Sequence, residues 1–295
     1  MYFINIVVDC MLCFVMSVQT EHGTRKNAFM KSDMQNDTDE SLRSHDEDQT
    51  SVRSQIFLFP TGRGNRGKSF FTRWAVEEAR NAGREVIVAD GDCTNQTLAT
   101  YFQDASAPPS ADQVSITKWF EDLVQKQIES RKSLIVDFGA GDRTLKHVAH
   151  ELSLVSFLQN FGVQPVAIHF VGPDTDDLAY LQSFENDSLF APDATIIVFN
   201  QFCVPTHIPQ ATAFSDSIGE SEIIRQILDR GGDIIVMPTL GCAHEIERRR
   251  ISFMGAIDGE TKDDLPPLGL IDRQRTRMWR DNMKKAFSEV QHWLP

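Results

Sequence analysis

Cysteine is sparse in this chain. Five residues in 295, at positions 10, 13, 93, 203 and 242, form no regular framework and leave one without a mate, which excludes a disulfide-stapled scaffold and fits a reducing, cytoplasmic compartment. Positive charge is also short. With 29 Lys and Arg against 42 Asp and Glu, the formal charge is -13, which argues against a protein that coats nucleic acid with its whole surface but leaves room for a local basic patch. Gly (17) and Pro (12) are too few for a collagen-like or low-complexity chain. Long apolar runs are missing except over residues 1–18, and even that run is broken by Asn5, Asp9 and Ser17. No base precedes it and no small-residue cleavage site comes after it, so it is a poor secretory signal. It sits near the lower length limit for a membrane span and carries a carboxylate at mid-depth, so no stable span is expected. Three readings stay open for it: an anchor, a stretch upstream of a true initiator at Met30 or Met34, or a peripheral apolar element.

Residues 31–54 are polar. They hold seven acids, three bases and many Ser, Asn, Gln and Thr, with little to bury, and read as a solvated tail or linker. Cys10 and Cys13 make a lone C-x-x-C with no second ligand pair, which is weak support for a metal or redox motif. The expected organisation is an apolar leader and acidic tail over 1–54, native or not, and a single domain over 55–295, long enough for a substantial core.

The chemistry starts at Gln55. A short apolar run to Phe59 leads into Pro60 and then Thr61-Gly62-Arg63-Gly64-Asn65-Arg66-Gly67-Lys68-Ser69, which completes G-x-x-x-x-G-K-S. Glycines in such a loop let backbone N–H groups wrap phosphate oxygens, and the next helix adds its positive dipole end. The expected cradle is Gly62, Gly64, Asn65, Arg66, Gly67, Lys68, Ser69 and Phe70. In it Lys68 reaches the β and γ phosphates and the Ser69 hydroxyl binds Mg²⁺. Phe71, Ala75 and Ala79 at four-residue spacing predict a helix from Ser69 to Ala82 that Gly83 can end.

Two further strands end in acids. Residues 84–89 run into Asp90-Gly91-Asp92, and residues 133–136 run into Asp137, followed by Phe138-Gly139-Ala140-Gly141-Asp142. In an open parallel sheet the carboxyl ends of strands share one edge with the phosphate loop, so these carboxylates converge on it. Asp137 closes a strand of apolar residues and is the expected metal-side carboxylate, while Asp90 and Asp92 are placed for the attacking water and the outer shell of the metal. Singly, Asp90 or Asp92 also reads as an ordinary helix cap or turn residue.

Strand-like runs at 165–171, 194–199 and 233–237 alternate with helical stretches at 174–184 and 220–230, the last with Ile223, Ile224, Ile227 and Leu228 on one face. This alternation predicts an α/β fold, a mostly parallel sheet with helices on both faces. His147, His150 and Glu151 read as a surface helix face more readily than as a metal site. Cys203 and Cys242 read as small buried residues. A C-terminal helix is expected over 271–293, with Trp279, Met283, Phe287, Val290 and Leu294 as its docking face. Arg273, Arg277, Arg280 and Lys284 follow the same steps in a neighbouring sector. With Arg248, Arg249 and Arg250 they suggest a basic patch, read either as a solvated face or as a phosphate-contact surface.

GRGNRGKS (62–69), VIVADGDCTNQTLATYF (86–102) and LIVDFGAGD (134–142) together resemble the ParA/MinD group of deviant-Walker P-loop ATPases, and Asp92 to Thr97 looks most like its conjugal-transfer TraL-type branch, with Cys93 where that branch has proline. The resemblance implies ATP and Mg²⁺ as ligands and a nucleotide-dependent homodimer. It implies a process such as plasmid partition or conjugal mobilisation, with DNA or a DNA-processing protein (a relaxase or a partition adaptor) as partner. Where the group has a second lysine that reaches the partner's phosphates, this chain has Arg63, and Asn65 replaces a glycine. Asn200 and Pro238 match the group's adenine contacts, though either also reads as a plain turn residue. The implied activity is slow ATP hydrolysis with Lys68, Asp90, Asp92 and Arg63 in the catalytic roles. The alternative is a nucleotide-gated scaffold with negligible hydrolysis that recruits a DNA-processing protein.

Overall fold

Strand β1 runs from Gln55 to Gly62, three residues beyond the apolar run that predicts it. Proline lacks the N–H that a ladder uses. Pro60 is accommodated because pairing with the strand Ser133–Asp137 ends at Leu58 while pairing with the strand Val163–Val171 continues to Gly62, so Pro60 has a strand on one side only. In this computed structural model the described residues are 54–185, 190–209, 212–215 and 221–295. The expectations for residues 1–53, including the apolar leader, Cys10, Cys13 and the initiator candidates Met30 and Met34, lie outside them, as does Glu220.

From β1 the chain passes through helix α1 (Lys68–Asn81), strand β2 (Val86–Asp90), helices α2 (Thr97–Tyr101) and α3 (Gln113–Ser130) and strand β3 (Ser133–Asp137). Helices α4 (Thr144–Leu152) and α5 (Leu154–Asn160), strand β4 (Val163–Val171), helix α6 (Thr175–Glu185) and strand β5 (Thr195–Asn200) come next. The described chain closes with α7 (Glu222–Asp229), β6 (Asp233–Met237), α8 (Ala243–Arg249), α9 (Phe253–Asp258) and α10 (Leu270–Ala286). The sheet is parallel throughout, in the order β2-β3-β1-β4-β5-β6. The predicted α/β architecture is therefore the observed one.

Alternation along β1 shows how the layers form, since successive side chains point to opposite faces. Ile56 and Leu58 pack into one core with Phe71 and Trp74 of α1 and Trp279, Met283 and Phe287 of the C-terminal region. Phe57 and Phe59 enter the other core, with Phe120 of α3, Leu145 of α4 and Leu158 of α5. A central strand buried on both faces reads as a continuous apolar run, which β1, β3 and β5 do.

Helix α10 ends at Ala286, short of the expected 293, and a 3-10 turn at Gln291–Trp293 completes the segment. The bend keeps Val290 and Leu294 in the core alongside Trp279, Met283 and Phe287, as the apolar spacing demands. Behind the phosphate loop, Arg73 of α1 is buried with its guanidinium over the rings of Tyr101 (3.4 Å) and Phe253 (4.8 Å). One turn further along, the buried Glu77 carboxylate accepts two bonds from the Phe253 N–H (2.9 and 3.1 Å), and burial pushes its pKa up to about 7. Helices α1, α2 and α9 are thus joined through two charged side chains. Among the described residues no helix is long and apolar enough to cross a membrane.

Candidate phosphate-binding site

The loop between β1 and α1 has backbone geometry that only its own residues allow. Gly62 lies at φ 146°, and a Cβ there would stand 2.7 Å from the Phe170 carbonyl oxygen of β4. Gly67 lies at φ 95°, and a Cβ there would meet Asn200 Nδ2 at 2.4 Å. Asn65 takes a left-handed conformation (φ 60°), which asparagine tolerates better than most side chains, so this departure from glycine costs the loop little. Gly64 faces open space. Lys68 opens α1, and its ammonium folds back to donate to the Gly62 and Arg63 carbonyls at 3.1 and 3.3 Å. Burial lowers its pKa, opposed by the nearby carboxylates Asp137 and Asp92.

One side of the loop faces the strand-end acids. Asp137 is buried at the end of β3, opposite Asp90 in the β2–β3 register. The Ser69 hydroxyl and the Lys68 ammonium lie close enough to the Asp137 carboxyl to hold its pKa down. Even so, burial, with help from Asp90 and Asp92, pushes its pKa up to about 7, and among the described residues Oδ1 has no hydrogen-bond partner. A buried carboxylate oxygen left unpaired costs free energy that a cation can repay. Together with the Ser69 hydroxyl this is a hard-oxygen donor set of the kind Mg²⁺ takes, so the residues present fit that ion.

Asp90 and Asp92, both expected to work on water, are occupied otherwise. Asp90 is buried, and its Oδ2 accepts from the Ala99 N–H (3.0 Å) in the first turn of α2. Asp92 is half-buried and lies over Gly139, whose Cβ would stand 3.2 Å from its carboxyl carbon. Its Oδ1 accepts from the Thr94 and Asn95 N–H groups, both at 2.9 Å. Asp92 reaches the site while holding its own turn, whereas Asp90 braces α2.

The other side of the loop faces the start of α6, a segment to which the sequence motifs assign no role. Asp177 is buried and accepts from the Gly172 N–H (2.9 Å) and from Arg66 Nε (3.0 Å), and Asp174 takes the Arg66 Nη2. Arg63, expected to reach a partner's phosphates, has Nη1 3.5 Å from Asp176 and 3.7 Å from Asp177. Both loop arginines are therefore tied to the chain's own acids. The signal is present in the sequence as Gly172-Pro173-Asp174-Thr175-Asp176-Asp177, an acidic run directly after a strand at the same sheet edge.

At the far rim stand the expected base contacts. The Asn200 amide is spent on its own chain: Nδ2 donates to the Arg66 carbonyl (2.9 Å) and Oδ1 accepts from the Phe202 N–H (3.0 Å). The Pro238 carbonyl accepts from Trp279 Nε1 (2.9 Å). The Phe70 ring packs against Phe253 and Trp279, so only its backbone belongs to the loop. Cys203 is half-buried beside Asn65 and Cys242 is buried. His147 is exposed and paired with Glu151 at 3.7 Å. The basic stripe divides: Arg280 and Lys284 share Glu78 of α1, Arg249 is buried against Glu245 and the Pro266 carbonyl, and Arg277 stays exposed.

No protein-family model matches the chain, and no curated protein does. Among solved structures it is similar to the MinC:MinD cell division protein complex of Aquifex aeolicus, at 13% identity over 76% of this chain and 96% of that one, with a TM-score of 0.43. It is also similar to FtsY of Mycoplasma mycoides, at 15% identity over 81% of this chain and 70% of that one, with a TM-score of 0.39. At these identities the likenesses assign no ligand and no reaction to this chain.

Proposed function

We propose that the chain is a Mg²⁺-dependent P-loop nucleotide-binding protein that takes ATP and hydrolyses it slowly, acting as a nucleotide-dependent homodimer on DNA or on a DNA-processing protein such as a relaxase or partition adaptor. Plasmid partition or conjugal transfer in the cytoplasm is the setting that its motif resemblance suggests. The observation that carries the nucleotide reading is a buried Asp137 beside Ser69 and Lys68 at the end of a glycine loop, its Oδ1 without a hydrogen-bond partner among the described residues. In this reading the loop amides and Lys68 orient the phosphates, while Ser69 and Asp137 hold Mg²⁺, which would supply charge neutralisation at the phosphates when bound. The protein's remaining contribution is positioning, with no covalent intermediate.

A second reading, a scaffold with negligible turnover, draws on a specific observation. Arg63 is engaged in cis by Asp176 and Asp177, and Asp92 Oδ1 caps its own turn, so the groups assigned to hydrolysis start from committed positions. Steady-state ATP turnover by the full chain, with and without duplex DNA and beside Lys68→Ala, separates the two. Turnover that rises with DNA and vanishes in the variant supports the ATPase. Tight ATP binding with turnover no faster than the variant sinks it in favour of the scaffold. Absence of ATP binding removes both.

A further inference from the structure

The 3-10 turn after β5, Gln201–Cys203, is riveted to the phosphate loop. Asn200 Nδ2 donates to the Arg66 carbonyl, Asn200 Oδ1 holds the Phe202 N–H, and Cys203 Sγ lies 3.8 Å from the Asn65 carbonyl. Asn200 is buried, and Gly67 has no side chain because Asn200 occupies that space. To read a base edge, Asn200 would have to abandon both bonds and release the loop that holds the phosphates. Pro238, the other expected base contact, has its carbonyl committed to the Trp279 indole. Hydrogen-bonding groups expected to select adenine are therefore used for construction.

What the turn offers instead is a ring. Phe202 is 68% exposed, although its backbone is pinned by Asn200. An exposed aromatic on a fixed backbone, on the turn that touches Asn65 and Arg66, is a stacking platform, and base–aromatic stacking tolerates any base because every base has a π-face. We propose that Phe202 binds the base of the nucleotide by stacking, and that the site consequently discriminates poorly between adenine and guanine. This rests on the nucleotide reading above.

The test is equilibrium binding of Mg²⁺-ATP, Mg²⁺-GTP and Mg²⁺-tripolyphosphate to the full chain. Phe202→Ala should weaken both nucleotides by about tenfold or more and leave tripolyphosphate unchanged. Phe202→Trp should restore affinity, and the added indole should be quenched by ATP and not by tripolyphosphate. Nucleotide affinities unmoved by Phe202→Ala, or a wild-type preference for ATP over GTP beyond about a hundredfold, overturn the stacking proposal and leave the nucleotide reading standing. Wild-type protein that binds none of the three ligands overturns the nucleotide reading and this proposal with it.

Discussion

Two buried aspartates flank the phosphate loop and are treated in opposite ways. Asp177, at the start of α6, has its charge met on every side: the Gly172 N–H, Arg66 Nε and the more distant Arg63 surround it. Asp137, at the end of β3, lies near Ser69 and Lys68, yet its Oδ1 has no partner among the described residues and burial pushes its pKa up to about 7. A carboxylate that the chain itself satisfies holds the structure together. One that the chain leaves short is held ready for something the chain does not contain. The loop between them is therefore fastened on the α6 side and open to a ligand on the β3 side.

Breaking the fastened side should have the largest effect. Asp177→Ala leaves Arg66 and the Gly172 N–H without their partner in a buried setting, and should cost about 3 kcal/mol of stability, read as a lower denaturant midpoint at constant slope. A loss under about 1 kcal/mol would mean that Asp174 alone suffices to hold Arg66.

Asp137→Asn sharpens the comparison from the other side. Because the folded pKa of Asp137 is raised to about 7, the folded protein holds a proton that the unfolded chain has released between about pH 4 and pH 7. Its stabilising contribution is complete below that window and is lost as the pH rises through it, by an amount on the order of a few kcal/mol. Without metal, Asp137→Asn should flatten the fall in melting temperature from pH 4 to pH 7 and abolish stabilisation by Mg²⁺-nucleotide. Some slope will remain, since Glu77, also raised to about 7, contributes in the same direction. An unchanged slope would show that Asp137 is not the titrating group.

Asn200→Ala removes the rivet between β5 and the loop. It leaves the half-buried Arg66 carbonyl short of a donor, with an expected loss of about 1 kcal/mol, and ATP-to-GTP preference should not change. A switch in base preference would restore Asn200 to the reading role that its position suggests. The smallest effect belongs to Arg63→Ala. Its contacts at 3.5 and 3.7 Å are partly exposed, so stability should move by less than about 0.5 kcal/mol, while nucleotide-dependent dimerisation or turnover falls if the side chain swings across to a partner.

The fastened and open sides also differ in how far the sequence discloses them. Asp137 is legible because a carboxylate closing an apolar strand needs a purpose, and the eight residues of GRGNRGKS state the loop outright. Asp177 is visible only as one acid in a run. Its partner Arg66 is 111 residues away, and nothing local says which arginine it meets. The basic stripe on α10 misleads for the same reason, because Glu78, which neutralises Arg280 and Lys284, lies about 200 residues earlier on α1. Strand placement follows the apolar runs to within a few residues, since burial on both faces leaves few alternatives. Helix α3 has no counterpart among the sequence expectations, although its Asp112 cap and the spacing of Ile116, Trp119, Phe120, Leu123 and Val124 are signals of the usual kind.

The sandwich of Arg73 between Tyr101 and Phe253 turns the back of the site into a linkage. Tyr101 ends the segment that starts at Asp90, Arg73 rides on the helix that carries Lys68, and Phe253 opens α9 against α10. Losing either ring would strip one aromatic face from a buried cation, so a change at Tyr101 or Phe253 would be felt on the helix that carries Lys68. Helix α10, against whose Trp279 the Phe253 ring packs, exposes Leu270, Ile271 and Met278.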